Sequence, residues 1–313
     1  MPACACPHAD RGEGRGEREY SAISSSYVPL PFIPSHEGRG SLTFYESITI
    51  KGLTMGEKIP LSVAIITKNE AENMPGCIGS VKFADQIVVV DSGSTDDTVK
   101  IATDFGCDVF IEKWRGFGPQ KQFAIDKCKH RWVLVLDADE RIPPETAMAI
   151  GDLVSKGSDD VAGYSLPRKN WFRGRWIKHL WGGDRIVRLF QKDLGRMTSA
   201  AVHESVEVSG HVKALDVPIE HFTESDLSKI LIKIDHYSTL GAQEAFIEGR
   251  KATIWSASFR AALAFFQSYF LKLGALDGAQ GLTLSITNSV NKFFKYAKLS
   301  ELHKQAESSG QGR

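Results

Sequence analysis

WVLVLDADERI, residues 132–142, is the stretch whose reading decides the fold. Its first five residues, Trp132 to Leu136, are an unbroken apolar run that stops abruptly at Asp137, Ala138, Asp139, Glu140 and Arg141. A strand buried on both faces reads this way where it leaves a sheet. In open α/β sheets ligands bind at that carboxyl edge, so these acids are expected to face a crevice. Asp137 and Asp139 can point the same way, and like charges held so close call for a cation or a proton between them. A charged turn after a core strand is the plainer reading of the same residues.

Upstream, residues 61–67 (LSVAIIT) read as a second buried strand, 71–81 as a short helix, 86–90 as a strand, 95–105 as a helix and 108–111 as a strand. A helix over 120–129 then leads into residues 132–136. This alternation predicts parallel strands joined by right-handed crossovers, with the connecting loops sharing one sheet edge. Ser94 or Thr95 is expected to cap the helix that follows the second strand. Asp91 is not needed for a cap and reads as a ligand contact, able to accept from a ribose or a base. Residues 67–73 contain no glycine, so the dinucleotide fingerprint G-x-G-x-x-G is absent. A diphosphate bound at this edge needs other neutralisation, and Mg²⁺ or Mn²⁺ on Asp137 and Asp139 suits its hard oxygens.

Lys plus Arg and Asp plus Glu are equal at 38 each in 313 residues, so bulk charge gives no reason to expect a nucleic-acid partner. The five cysteines are scattered without a C-x-x-C pair, which fits reduced thiols in a cytoplasmic protein. Cys4, Cys6 and His8 resemble half a metal site with no matching half. Residues 1–58 lack any helical or strand period and read as a disordered extension. Because the periodic pattern starts at Leu61, Met55 is expected to be the natural start. A catalytic domain is expected over 59–224, a helical region over 225–302 and a disordered tail over 303–313.

The helical region opens with a long amphipathic helix over 227–250. Residues 256–273 (SASFRAALAFFQSYFLKL) have an uncharged stretch, 261–271, far short of the roughly 20 apolar residues a spanning helix needs. Their aromatics, flanked by Arg260 and Lys272, suit a helix lying in a membrane interface, and packing against the catalytic domain or another subunit explains the same pattern.

Residues 65–73 (IITKNEAEN), 87–98 (IVVVDSGSTDDT), 116–121 (GFGPQK) and 134–141 (LVLDADER) together resemble the glycosyltransferase family 2 enzymes. The likeness is to the branch of bacterial lipopolysaccharide-core β-glucosyltransferases. It continues through 184–190 (DRIVRLF), 202–204 (VHE) and 293–299 (FFKYAKL), whereas the stretch before Leu61 has no counterpart. The resemblance implies an α/β fold of GT-A type, a Rossmann-like, mostly parallel sheet with flanking helices, plus a C-terminal helical extension. It implies an inverting transferase that moves a sugar, glucose by this likeness, from a UDP-sugar to a saccharide or glycolipid acceptor such as the lipopolysaccharide inner core.

On these positions the resemblance makes Thr67, Asn69, Glu70 and Asp91 contacts to the nucleoside and sets Lys121 near the base or phosphates. Asp137 and Asp139 become the D-x-D element, Asp137 toward ribose or sugar and Asp139 toward the metal. Glu204 is implied as the general base that takes the acceptor proton, with Asp184 as runner-up. His203 reads either as a metal or phosphate contact or as a merely hydrogen-bonded histidine. Residues 168–179 (RKNWFRGRWIKH) read either as a hairpin with inward aromatics or as an acceptor site. In the second reading Trp171 and Trp176 stack on sugar while Arg168, Arg173 and Arg185, with Arg188, grip phosphate. The rival readings are a sugar nucleotidyltransferase, a glycosidase, whose paired carboxylates need no nucleotide-shaped loops, and a non-catalytic membrane-surface scaffold.

Overall fold

Four parallel strands come first, β1 (Ile59–Thr67), β2 (Ala84–Asp91), β3 (Asp108–Ile111) and β4 (Trp132–Asp137), in spatial order β3-β2-β1-β4; β1, β2 and β4 are largely buried on both sides, while β3 is a partly exposed edge strand. The computed structural model describes residues 58–157, 160–198, 205–223 and 226–308. The expected extension with Met55, Cys4, Cys6 and His8 lies outside these residues, as do His203, Glu204 and positions 309–313.

Side chains alternate across β1, so Leu61, Val63 and Ile65 join one core and Ala64 and Ile66 the other. Helices α1 (Met74–Ser80) and α4 (Pro144–Lys156) cover the first face through Met74, Ile78, Ala147 and Ile150. Helix α3 (Phe117–Asp126) covers the second through Ala124 and Ile125. Helix α2 (Thr98–Asp104) joins β2 to β3 and starts later than expected. Its first amide is bonded by Asp96, whose Oδ1 accepts from Thr98 N at 3.1 Å. The cap expected of Ser94 or Thr95 is not made: the N-cap residue is Asp97, which makes no side-chain capping bond.

Beyond β4 the sheet turns mixed. β8 (Arg185–Gln191) runs antiparallel between β4 and β6 (Gly163–Phe172), and β12 (Ile219–Phe222) then joins β6 in parallel. β5 (Glu140–Arg141) closes the order antiparallel to β12, while β7 (Arg175–Ile177) and β11 (Val212–Ala214) pair with β6, and β9 (Gly195–Met197) with β10 (Val206–Val208). Arg173 and Gly174 link β6 to β7 with positive φ at both positions, 45° and 86°, the backbone a two-residue hairpin requires.

The C-terminal helices are α5 (Leu227–Ile247), α6 (Ile254–Phe266) with a π-helical extension (Gln267–Leu271), a 3₁₀ turn (Gly274–Asp277), and α7 (Gly278–Ser308). Helix α7 runs through residues expected to be a disordered tail. Good helix formers at Glu301, Leu302, Lys304, Gln305 and Ala306 carry it on. Lys298 Nζ ties α7 to α5, reaching Asp235 O and Oδ1, Ser238 Oγ and Thr239 Oγ1 at 2.7–2.9 Å. The layer joins the catalytic sheet through Phe172, Ile177, Leu180 and Leu284. Buried Asp277 accepts backbone N–H bonds from Lys178, His179 and Leu180. No helix among the described residues is long and apolar enough to cross a membrane.

Candidate active site

Register fixes where the loops emerge: Thr67 lies beside Asp91, and Ile66 beside Asp137. A cleft of about 920 Å³ opens at this edge, floored by Thr67, Glu70, Ser92, Asp137, Asp139 and His221. Its roof is helical, formed by Lys233, Tyr237, Asn288 and Lys292 among others. A second arm of about 420 Å³ shares Asp139, His221, Lys233 and Asn291 with the first and continues between Phe172, Trp181 and Lys272.

The acids of the opening stretch do not all face this cleft. Glu140 is fully buried, so the expectation of three carboxylates in a crevice is corrected to two. Arg188 donates from Nη2 to both Asp137 Oδ2 and Glu140 Oε1, each at 2.7 Å. Lys121 Nζ holds Asp137 Oδ1 at 2.7 Å, and Glu140 Oε2 accepts from Asp137 N at 3.1 Å. Arg168 extends the chain, 4.0 Å from Glu140 and 2.6 Å from Asp184 Oδ2. Charges thus alternate from Lys121 through Asp137, Arg188, Glu140 and Arg168 to Asp184. Burial acts to raise the Asp137 carboxyl, but the charges of Arg188 and Lys121 and their hydrogen bonds prevail and hold it well below the usual carboxylate range. Burial likewise opposes the charge on Arg188, and Glu140 and Asp137 outweigh it, raising the guanidinium.

Lysine and arginine therefore supply the cations that the carboxylate pair called for at Asp137. Asp139 has no such partner. Its Oδ2 faces His221 Nε2 at 3.3 Å, and His221 Nδ1 sits 2.8 Å from Asn170 Oδ1. In the neutral tautomer whose Nδ1–H donates to Asn170 Oδ1, the Nε2 lone pair is left facing the Asp139 carboxylate. A histidine fixed by a second-sphere oxygen beside a carboxylate is how metal ligands are held, and the mixed nitrogen and oxygen donors could hold Mn²⁺ more readily than the oxygen-seeking Mg²⁺. Among the described residues no three His, Cys, Asp or Glu side chains converge, so Asp139 and His221 could supply at most two protein ligands to a metal. Sequence reasoning passed over His221, whose only sign is a histidine inside the short apolar run VPIEHF, residues 217–222.

In the nucleoside loops, Thr67 Oγ1 is buried without a hydrogen-bond partner and lines the cleft. Asn69 adopts a left-handed backbone (φ 54°), and its Oδ1 accepts from Thr95 N at 2.8 Å, tying the two loops together. Glu70 lines the cleft and accepts from Asn73 Nδ2. The reading that Asp91 is free of local duty is corrected. Its carboxylate is buried and accepts from Gly93 N, Ser94 N and Ser94 Oγ, and the neighbour that reaches the cleft is Ser92.

The cationic aromatic segment divides by strand parity. Phe172 points to the second arm, while Trp171 and Trp176 pack on Phe222, with centroids 5.1–6.4 Å apart, and do not line either cavity. Arg173 is exposed at the hairpin tip. Arg185 bonds Leu215 O and Asp216, whereas Arg188, three residues on and so on the opposite face, turns inward. Asp184 does not line the cleft.

Cys77, Cys107 and Cys128 are unpaired thiols. Burial pushes Cys107 up to about 11 and Cys128 up to about 12, so neither offers a thiolate near neutral pH.

Residues 62–206 match the sequence model of glycosyl transferase family 2. The chain is similar to lipopolysaccharide core biosynthesis glycosyltransferase LpsC of Rhizobium meliloti (strain 1021), 31% identical over 254 residues that cover 79% of this chain and 94% of the relative. It is 30% identical to the uncharacterized glycosyltransferase RC0292 of Rickettsia conorii, over 80% of this chain and 92% of that one. Among solved structures it is similar to S. aureus TarS 1–349, with a TM-score of 0.39 and 15% identity over 79% of this chain and 91% of that one. The extent and identity of these sequence matches establish that the chain is a glycosyltransferase belonging to glycosyltransferase family 2.

Proposed function

We propose that the enzyme transfers a sugar, with inversion, from a UDP-sugar to a saccharide of the lipopolysaccharide core. The observation that carries the reading is the Asp139–His221 pair facing the cleft beside a loop edge shaped for a nucleotide. A Mg²⁺ or Mn²⁺ ion held there would offset the charge that develops on the leaving diphosphate. Asp139 and His221 are the residues that fit this role, because both Asp137 oxygens are already taken by Lys121 and Arg188. Thr67, with its unpartnered hydroxyl, Glu70 and Ser92 face the nucleoside, and Asn69 and Asp91 hold their loops in shape. Lys121 acts by positioning Asp137.

The second arm offers Trp181 as a stacking surface and Lys233 and Lys272 as cations, which supports an acidic saccharide acceptor there. A carboxylate must take the acceptor proton as its oxygen attacks the anomeric carbon from the face opposite the diphosphate. Glu204 is the residue proposed for this step. The bond from Arg168 to Asp184, and the position of Asp184 away from the cleft, favour Glu204 over the runner-up. The lipopolysaccharide acceptor rests on the likeness to LpsC. A cytoplasmic location on the inner membrane surface belongs to the same reading, supported by the unpaired thiols and an exposed aromatic face.

Incubating the purified protein with a panel of UDP-sugars, with and without Mg²⁺ or Mn²⁺, tests the proposal. Metal-dependent UDP release with at least one donor is expected. Silence with every UDP-sugar, alongside release from donors carrying another nucleotide, would overturn the choice of donor class.

A further inference from the structure

Helix α6 is built inside out. The residues it packs inward are small, Ala257, Ala261 and Ala264, while Trp255, Phe259, Leu263 and Phe266 project outward at helical spacing. Trp255 is 83% exposed and Phe259 70%. An ordinary surface helix turns its large apolar side chains to the core, so this arrangement requires an apolar partner on the outside. The exposed face continues past the helix through Phe270, Leu271, Leu273 and Leu276. Leu273 is in the left-handed region (φ 56°), where glycine or asparagine would sit without strain, and its side chain is nevertheless half exposed.

Two further observations select the partner. Residues 251–276 contain Lys251, Arg260 and Lys272 and no acidic residue; Arg260 lies over the Tyr296 ring at 4.5 Å, and Lys251 and Lys272 are exposed. Lys272 also lies on the rim of the second arm of the active-site cavity, between exposed Leu271 and Leu273. The apolar face and the mouth of the acceptor arm are therefore continuous.

From this juxtaposition we infer that the face from Trp255 to Leu276 seats the enzyme on an anionic lipid bilayer, with the mouth of the second arm at the headgroup level. This deepens, and rests on, the reading of that arm as the acceptor site. Aromatic and aliphatic side chains enter the headgroup and acyl boundary, the lysines and arginine meet lipid phosphate, and a lipid-borne saccharide reaches Asp139 without leaving the membrane surface.

Co-sedimentation of the full chain, without sugar donor, is the test. Vesicles of phosphatidylethanolamine with phosphatidylglycerol are compared with vesicles of phosphatidylcholine. Binding to the anionic vesicles only is expected. Trp255→Ser with Phe259→Ser should abolish it, and Lys251→Gln should weaken it about fivefold. The double variant should keep wild-type UDP release from free donor, since neither residue lines the cavity. A wild type that stays in the supernatant with both vesicles overturns the inference. So does a lipid-free dimer, seen by analytical ultracentrifugation, that the double variant dissolves, because the occupant is then a second copy. Vesicle binding combined with absent UDP release would strike the catalytic reading and leave the membrane face standing.

Discussion

Replacing Arg188 with methionine tests the charge chain at its centre. The guanidinium is nearly buried and donates at 2.7 Å to two carboxylates, one of them on fully buried Glu140. Without it, Glu140 keeps only the Asp137 amide at 3.1 Å and Arg168 at 4.0 Å. Removing one partner of a buried pair costs about 3–5 kcal/mol, because the remaining charge stays desolvated. Equilibrium denaturation at neutral pH should show a loss of that size. Adding Glu140→Gln removes the stranded charge while keeping an acceptor for the amide, so the double variant should be more stable than Arg188→Met alone. Acidification gives a second readout. The Asp137 carboxyl titrates below its unfolded value, so its pairing adds stability above the ordinary carboxylate range and loses it as pH falls toward the depressed value. Arg188→Met should therefore lose less stability on acidification than the wild type. A cost under about 1 kcal/mol, or a double variant weaker than the single, would refute the view that Arg188 neutralises buried charge.

Other variants address the chemistry. Asp139→Ala should lower metal-dependent UDP release by about three orders of magnitude, several kcal/mol of transition-state charge stabilisation, with an unchanged thermal midpoint; a rate within tenfold of wild type would move the metal elsewhere. Asn170→Ala should weaken Mn²⁺ affinity about 10–100-fold, with rescue at high Mn²⁺, as titration calorimetry in the presence of UDP can read; an unchanged affinity would mean that His221 is not a ligand. Glu204→Gln should lose transfer yet retain donor affinity, and unimpaired transfer would pass the role of base to Asp184. Leu134→Ala, at a fully buried position of β4, should cost about 2–5 kcal/mol in stability.

Legibility in the sequence followed the range of the interactions. Strands β1 to β4 were readable because apolar runs bounded by polar loops are local patterns, and the edge they share follows from crossover handedness. The start of α2 was placed too early, since Ser94, Thr95, Asp96 and Asp97 can all precede a helix and only backbone geometry chooses among them. The partners of Asp137 were hidden because Lys121 and Arg188 arrive from distant segments that only the sheet order brings together. His221 escaped for the same reason: β12 lies 82 residues from Asp139 and meets it only because it pairs with β5. The local bonds of Asp91 were not legible because a carboxylate at a strand end suits a turn of its own backbone as well as it suits a ribose.

The bonds from Lys298 have a mechanical consequence. They rivet α5 to α7, and both helices overhang the diphosphate cleft. The bonds resist either helix swinging aside alone. Under the function proposed above, spent nucleotide leaves either sideways along the sheet edge or with a joint movement of the two helices. The second route would tie the rhythm of turnover to the grip of the helices on whatever lies outside them.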